Sequence, residues 1–200
     1  MIDKLPTIKK LMRHLHQVPF LASKNLYRVT SYFLQMDHER LNQFCAALKE
    51  AHDKIIQCPI CFVWQEKDTE CVFCHDPNRD QSMICVIESW HELLVVERTQ
   101  AFHGMYHVLG GVISPLDGIS ARDLKIDELV QRVTLHGITE VIFALNLTPE
   151  GEATAAFIAR KLHGVPVKIT CLAKGVPIGS NLEFVDRLTV SKALADRKTF

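Results

Sequence analysis

Two cysteine pairs, C58-P-I-C61 and C71-V-F-C74, stand nine residues apart in a chain of 200. No other feature restricts the fold so tightly. Each C-x-x-C presents two thiolates from one tight turn, and two such turns close a tetrahedron around Zn²⁺ that leaves no position for water. A closed site of this kind is structural. In a segment too short to bury a core of its own, the binding energy of the metal becomes the folding energy. A redox C-x-x-C or a pair of disulfides would use the same residues. The doubling of the motif, together with the cytoplasmic setting expected below, favours one structural zinc ion on Cys58, Cys61, Cys71 and Cys74. His75 follows Cys74 directly and is read as a bystander, because four sulfurs already satisfy the ion. Cys45, Cys85 and Cys171 sit within apolar patterns and are read as small core residues.

The cysteines separate two kinds of pattern. Before them, apolar residues recur at helical spacing: Ile8, Leu11, Met12 and Leu15, then Leu26, Val29 and Phe33, then Leu41, Phe44, Cys45 and Leu48. This predicts three short helices over residues 1–55, with Ser23 as the cap of the second. Lys24 and Arg28, one turn apart, would share a face of that helix. After the cysteines, the apolar runs at 84–87, 105–109, 140–145 and 167–173 alternate with helical segments, the signature of a parallel sheet. Right-handed crossovers would stack the helices on that sheet as an α/β domain. Gly164 fits a helix stop before the last strand, and Val190 to Arg197 reads as a tail helix.

With 48% hydrophobic residues, the chain can bury a core in one or two modest domains. No apolar run approaches the roughly 18 residues of a membrane span, and the N-terminus has no signal-peptide pattern. A cytoplasmic protein is expected. Lys plus Arg and Asp plus Glu both number 23, yet the charge is unevenly spread. Through residue 28, Lys4, Lys9, Lys10, Arg13, Lys24 and Arg28 face a single acid, Asp3. A polyanion would land there. A solvated helix face would carry the same charges.

Four blocks, RDQSMICVIES (79–89), FHGMYHVLGGVISPLDGI (102–119), NLTPEGEATA (146–155) and GVPIGSNLEFVDRLT (175–189), follow the cysteine module in order. With it they resemble the RecR family of recombination mediator proteins along nearly the whole chain. The resemblance implies a helix-hairpin-helix region at 1–55, a C4-type zinc finger at 56–76, a Toprim domain at 80–176 and a C-terminal oligomerisation segment at 177–200. The expected fold class is therefore α+β to α/β, with a mainly parallel sheet behind a helical region. The family's role implies a DNA-binding clamp or adaptor in DNA repair and recombination, a ring-shaped homotetramer working with RecO and RecF to load RecA at gapped DNA. Such a protein would be nucleoid-associated.

Catalytic Toprim folds hold Mg²⁺ with a glutamate after the first strand and an acidic pair after a later one. Glu88 matches the first position. At the later strand end stand Asn146, Leu147, Thr148, Pro149 and Glu150, with an amide and a hydroxyl in place of carboxylates. A non-enzymatic protein is expected, with Glu88, Asn146 and Glu150 serving a partner surface or a vestigial cation site. A Mg²⁺-dependent nuclease using Glu88, Glu150 and Glu152 is the alternative, as is simple helix capping by Glu150 and Glu152. No serine or cysteine nucleophile adjoins His103 or His107, and no phosphate-binding P-loop occurs.

The hairpin departs from the family. It usually carries a glycine-x-glycine between proline and the basic residue, which lets backbone amides approach a phosphate. Phe20 and Ala22 occupy those positions here. Lys24 and Arg28 match the family's basic positions and become the expected phosphate ligands.

Overall fold

The computed structural model describes residues 5–197 and 199, so Asp3 and Lys4 of the basic N-terminal run lie outside the described residues. The chain divides into two compact units, Met1–Ile55 and Ile56–Phe200.

The first unit contains the three expected helices, α1 (Pro6–His16), α2 (Ser23–Gln35) and α3 (His38–Lys54). Leu26 and Thr30 are the buried residues of α2, and the Thr30 hydroxyl is satisfied by the Leu26 carbonyl one turn back, at 2.8 Å. Phe33 of α2 meets Phe44 of α3 with ring centroids 5.3 Å apart. Asp37 caps α3 by accepting from the Arg40 amide at 2.8 Å. Ser23 does not cap α2. The cap is Ala22, with extended backbone (φ −57°, ψ 141°) and no side-chain bond, because Ser23 is already the first helical residue and only a non-helical residue can fold its side chain over the first turn. The turn before it passes through Phe20, which takes φ +64° with its ring fully exposed.

From the boundary residue Ile55 onward, β1 (Ile55–Gln57) and β2 (Trp64–Glu66) form a small two-stranded sheet around the first cysteine pair. There follow β3 (Asp80–Ile87), α4 (Trp90–Arg98), β4 (Gly104–Val108), α5 (Ile126–Leu135), β5 (Glu140–Phe143), α6 (Pro149–Lys161), β6 (Lys168–Cys171) and α7 (Arg187–Ala195). The four long strands form one parallel sheet in the order β4-β3-β5-β6. All four apolar runs of the second half are therefore strands. Along β3 the side chains alternate between two layers, as the two-residue period of a strand requires. Ile84 and Val86 pack with Leu129 and Val133 of α5 and Ile158 of α6, whereas Cys85 and Ile87 pack with Leu93 of α4, Tyr106 of β4 and the cysteine module. The sheet thus has α5 and α6 against one face, and α4 with the cysteines against the other.

Gly164, at φ +88°, sits in the turn after α6, as expected of a helix stop. The tail helix runs over 187–195 rather than 190–197, because Asp186 caps it through the Thr189 amide at 3.0 Å and so sets an earlier start. Cys85 is buried as expected, but Cys45 and Cys171 are exposed. Each shares an apolar stripe, but those stripes are not covered at these positions; Phe44 and Leu48 beside Cys45 are exposed as well.

Candidate functional site

The four cysteines converge. Cys58 follows β1, Cys61 closes the same turn, and the Phe62 amide donates to the Cys58 carbonyl at 3.0 Å. The second turn is closed by the His75 amide on the Cys71 carbonyl at 3.0 Å. All four sulfurs lie within 4.8 Å of one another. Cys58–Cys74 and Cys61–Cys71 are separated by 3.9 and 3.5 Å. These are far too long for a disulfide, whose sulfurs lie about 2.05 Å apart. They bracket the edge of about 3.8 Å that a tetrahedron with metal–sulfur bonds of 2.3 Å requires. Cys58, Cys61 and Cys71 are buried and Cys74 partly so, which leaves a closed centre. His75 is exposed and outside the cluster. The Cys61 thiol's hydrogen bond holds the Cys71 group far below the ordinary thiol range, and the same bond pushes Cys61 far above it. Four thiols so close share protons; a divalent, thiophilic cation would replace them.

The centre is fastened to the sheet. The Val108 amide at the end of β4 donates to the Cys61 carbonyl at 2.9 Å. Phe62, held at φ +62°, sets its ring edge-on to His107 at 5.3 Å, and the Lys125 ammonium lies over the Phe62 ring, 5.2 Å from its centroid. From the second turn, Phe73 packs on Tyr106 at 5.3 Å, and the Arg79 guanidinium stacks on Phe73 at 4.8 Å while pairing with Glu97 of α4. Tyr106 donates to the same Glu97 at 2.7 Å. His107 is fully buried; its Nε2 bonds the Lys125 carbonyl at 2.8 Å, and burial pulls its pKa down to about 4.

The acidic candidates lie elsewhere, at the carboxyl ends of β3 and β5. Strand order reverses between these two strands, which is where parallel sheets open a crevice. The structure brings Glu88 and Asn146 together. One Glu88 oxygen accepts from the Asn146 backbone amide at 2.5 Å and the other from its side-chain amide at 2.8 Å. Both carboxylate oxygens are thus engaged in a brace between strand ends. Glu150 lies in the first turn of α6, where Thr148 is the cap and accepts from the Gly151 amide at 3.1 Å. Glu152 faces away to two cations, Lys174 at 2.7 Å and Lys192 at 3.2 Å, and hydrogen bonding to Lys174 before Lys192 lowers its pKa. Among the described residues, no group of three acids or histidines gathers here to hold a metal. Sequence reasoning missed Gly151. A Cβ there would sit 2.2 Å from the Asn146 carbonyl and 3.4 Å from the Glu88 carboxylate, so only glycine lets α6 begin this close to the brace.

In the helical unit, Lys24 and Arg28 are exposed, one turn apart near the start of α2. Ala22 keeps a φ open to any residue, so only Phe20 occupies the conformation that favours glycine.

Two family models match the chain, one described as Toprim domain over residues 82–173 and one as RecR, C-terminal over 175–198. Proteins called "Recombination protein RecR" are similar along nearly their whole length. That of Rubrobacter xylanophilus is 40% identical over 192 residues, covering 96% of both chains. That of Cutibacterium acnes is 42% identical over 190 residues, covering 95% of this chain and 94% of its own. The Porphyromonas gingivalis protein is 39% identical over 202 residues, covering all of this chain and 97% of its own.

Proposed function

The chain belongs to the RecR family of recombination proteins, and from that membership we propose that it is a non-enzymatic DNA clamp and adaptor of recombinational repair. The observation that carries the DNA role is the pair Lys24 and Arg28, exposed one turn apart on α2 in a unit where nine Lys and Arg face five Asp and Glu. Cations at this spacing meet phosphates, and phosphate contacts position a protein on DNA without reading sequence. Zinc is held by Cys58, Cys61, Cys71 and Cys74. Bound there, it supplies folding energy to a module with little core of its own, and no chemistry.

The non-enzymatic reading is supported by the acids. Both Glu88 oxygens are held by Asn146, and Glu152 is paired with two lysines. Among the described residues no third acid or histidine joins them in a metal-holding group, an arrangement short of the converging carboxylates that Mg²⁺ and a phosphate need. This end of the sheet serves RecO and RecF as a docking face, in the cytoplasm and at the nucleoid. A homotetrameric ring makes weak arms sufficient, because linked sites act at high effective concentration. The ring loads onto gapped DNA and assists RecA assembly.

Solution mass, zinc per chain and binding to gapped DNA test the reading together. A tetramer with one zinc per chain is expected, binding DNA in a salt-dependent way that Lys24→Ala and Arg28→Ala weaken. Wild-type protein that carries zinc yet binds neither gapped DNA nor RecO at low salt would refute it. Mg²⁺-dependent cleavage of the DNA that vanishes with Glu88→Gln would refute its non-enzymatic part.

A further inference from the structure

Helix α2 carries more than two cations on its outer side. Its thirteen residues, SKNLYRVTSYFLQ, contain no aspartate or glutamate. At 100° per residue, Lys24, Arg28, Ser31 and Gln35 fall within one stripe, with Tyr27 and Tyr32 at its two borders, about 140° apart. Leu26, Val29, Thr30 and Phe33 take the opposite side, where the burial lies. The two tyrosines are 56% and 64% exposed, far more than a core or capping role requires, and with Arg28, Ser31 and Gln35 they border a shallow groove of about 370 Å³. Tyr32 is steadied from beneath by an edge-on contact with Phe33 at 5.7 Å, and Phe33 in turn by Phe44.

The geometry points to this face as a stacking platform for single-stranded DNA, in which Tyr27 and Tyr32 take unpaired bases while Lys24 and Arg28 hold the phosphates between them. The inference deepens the DNA-binding reading and rests on it. Two exposed rings, offset by about 7.5 Å along the axis at 1.5 Å per residue, offer two π-faces. A duplex keeps its bases stacked inside and has no use for them; a single strand does. The charge of the unit matches the strand's backbone, and the absence of carboxylates along α2 removes repulsion. Positively charged grooves with interspersed aromatic rings are the physical means of binding single strands without sequence preference. The platform also offsets what the hairpin lacks, since Phe20 and Ala22 deny phosphates the amide approach that glycines would give.

The test uses the full zinc-loaded chain and three probes of equal length: an oligo-dT strand, an abasic strand with the same phosphates, and a duplex. Wild type is expected to bind oligo-dT at least about fivefold tighter than the abasic strand, the low end of base–aromatic stacking. Tyr27→Ala and Tyr32→Ala each weaken oligo-dT binding about fivefold or more, leave the other two probes and the salt dependence unchanged, and are rescued by Tyr→Phe. Arg28→Ala weakens all three probes and lowers the salt slope by about one. Tyrosine variants that bind oligo-dT like wild type, or that lose the duplex equally, overturn the platform while leaving the DNA-binding reading intact. Wild type that binds none of the probes overturns both.

Discussion

Phe20→Gly isolates what the hairpin's backbone costs. Phe20 holds φ +64° with its side chain fully in solvent, so removing the ring sacrifices no packing. For a residue with a Cβ, the left-handed region costs about 1–2 kcal/mol. Glycine recovers that strain but makes the unfolded chain more flexible, at about 0.5–1 kcal/mol. The expected net is a stabilisation of about 0.5–1 kcal/mol. Phe20→Ala is the control: it removes the same ring but keeps the Cβ, and a surface truncation of this kind should stay within about 0.5 kcal/mol of wild type. The assay is native-state hydrogen exchange of the α1 and α2 amides, which reports on this unit without requiring the whole chain to melt as one. Phosphate approach should improve too, so binding to gapped DNA should tighten for Phe20→Gly and not for Phe20→Ala. Equal exchange protection in the two variants would refute the argument, because it would mean that the positive φ stores no strain.

Other expectations follow from the second unit. If the proposed zinc sits on the four cysteines, a chelator or Cys71→Ser should release it and broaden or lose the thermal transition, read by zinc release and calorimetry; an unchanged transition would make the centre dispensable to folding. His107 has a folded pKa of about 4 against about 6.5 when unfolded. The unfolded chain then binds the extra proton between those values, so this contribution, on the order of 3 kcal/mol, is present above pH about 6.5 and lost as pH falls toward 4. His107→Asn should flatten the denaturation midpoint over that window, and a parallel pH profile would refute the assignment. Gly151→Ala should destabilise by about 1–3 kcal/mol through its clash with the Asn146 carbonyl, despite alanine's higher helix propensity; a gain in melting temperature would show that the α6 start can shift freely.

The sequence and the structure agree where the signal is local and periodic. Four apolar runs became four parallel strands, and two C-x-x-C pairs became one cluster, because strand burial and tight-turn geometry are written into consecutive residues. Cys45 and Cys171 show the limit. Periodicity tells which residues share a face, and it does not tell whether anything covers that face. Ser23 failed as a cap by a single residue, since the exit angle of the turn through Phe20 decides where helical backbone begins. Gly151 carried no signal at all: its requirement arises from Asn146 and Glu88, brought beside it by a crossover and a sheet pairing that no short window contains. Likewise, the Glu88 to Asn146 brace joins positions 58 apart, although each position could be singled out alone.

The cysteine centre shares its apolar surroundings with Cys85 and Ile87 of β3 and with Tyr106 and Val108 of β4. During synthesis, all four thiols have been made by Cys74, 34 residues before Val108. At 5–20 residues per second, that interval lasts about 2–7 s. The exit tunnel delays both segments alike, so the sulfurs emerge ahead of the end of β4 by about that interval, and for those seconds the strand that carries Tyr106 and Val108 is not yet there to cover them. An ion of the kind proposed above would therefore enter the centre most easily on the ribosome. Under the proposed zinc reading, a finished chain without its ion would have to take one up through a centre whose Cys58, Cys61 and Cys71 are already buried, so metal supply during translation would bear on the yield of folded protein.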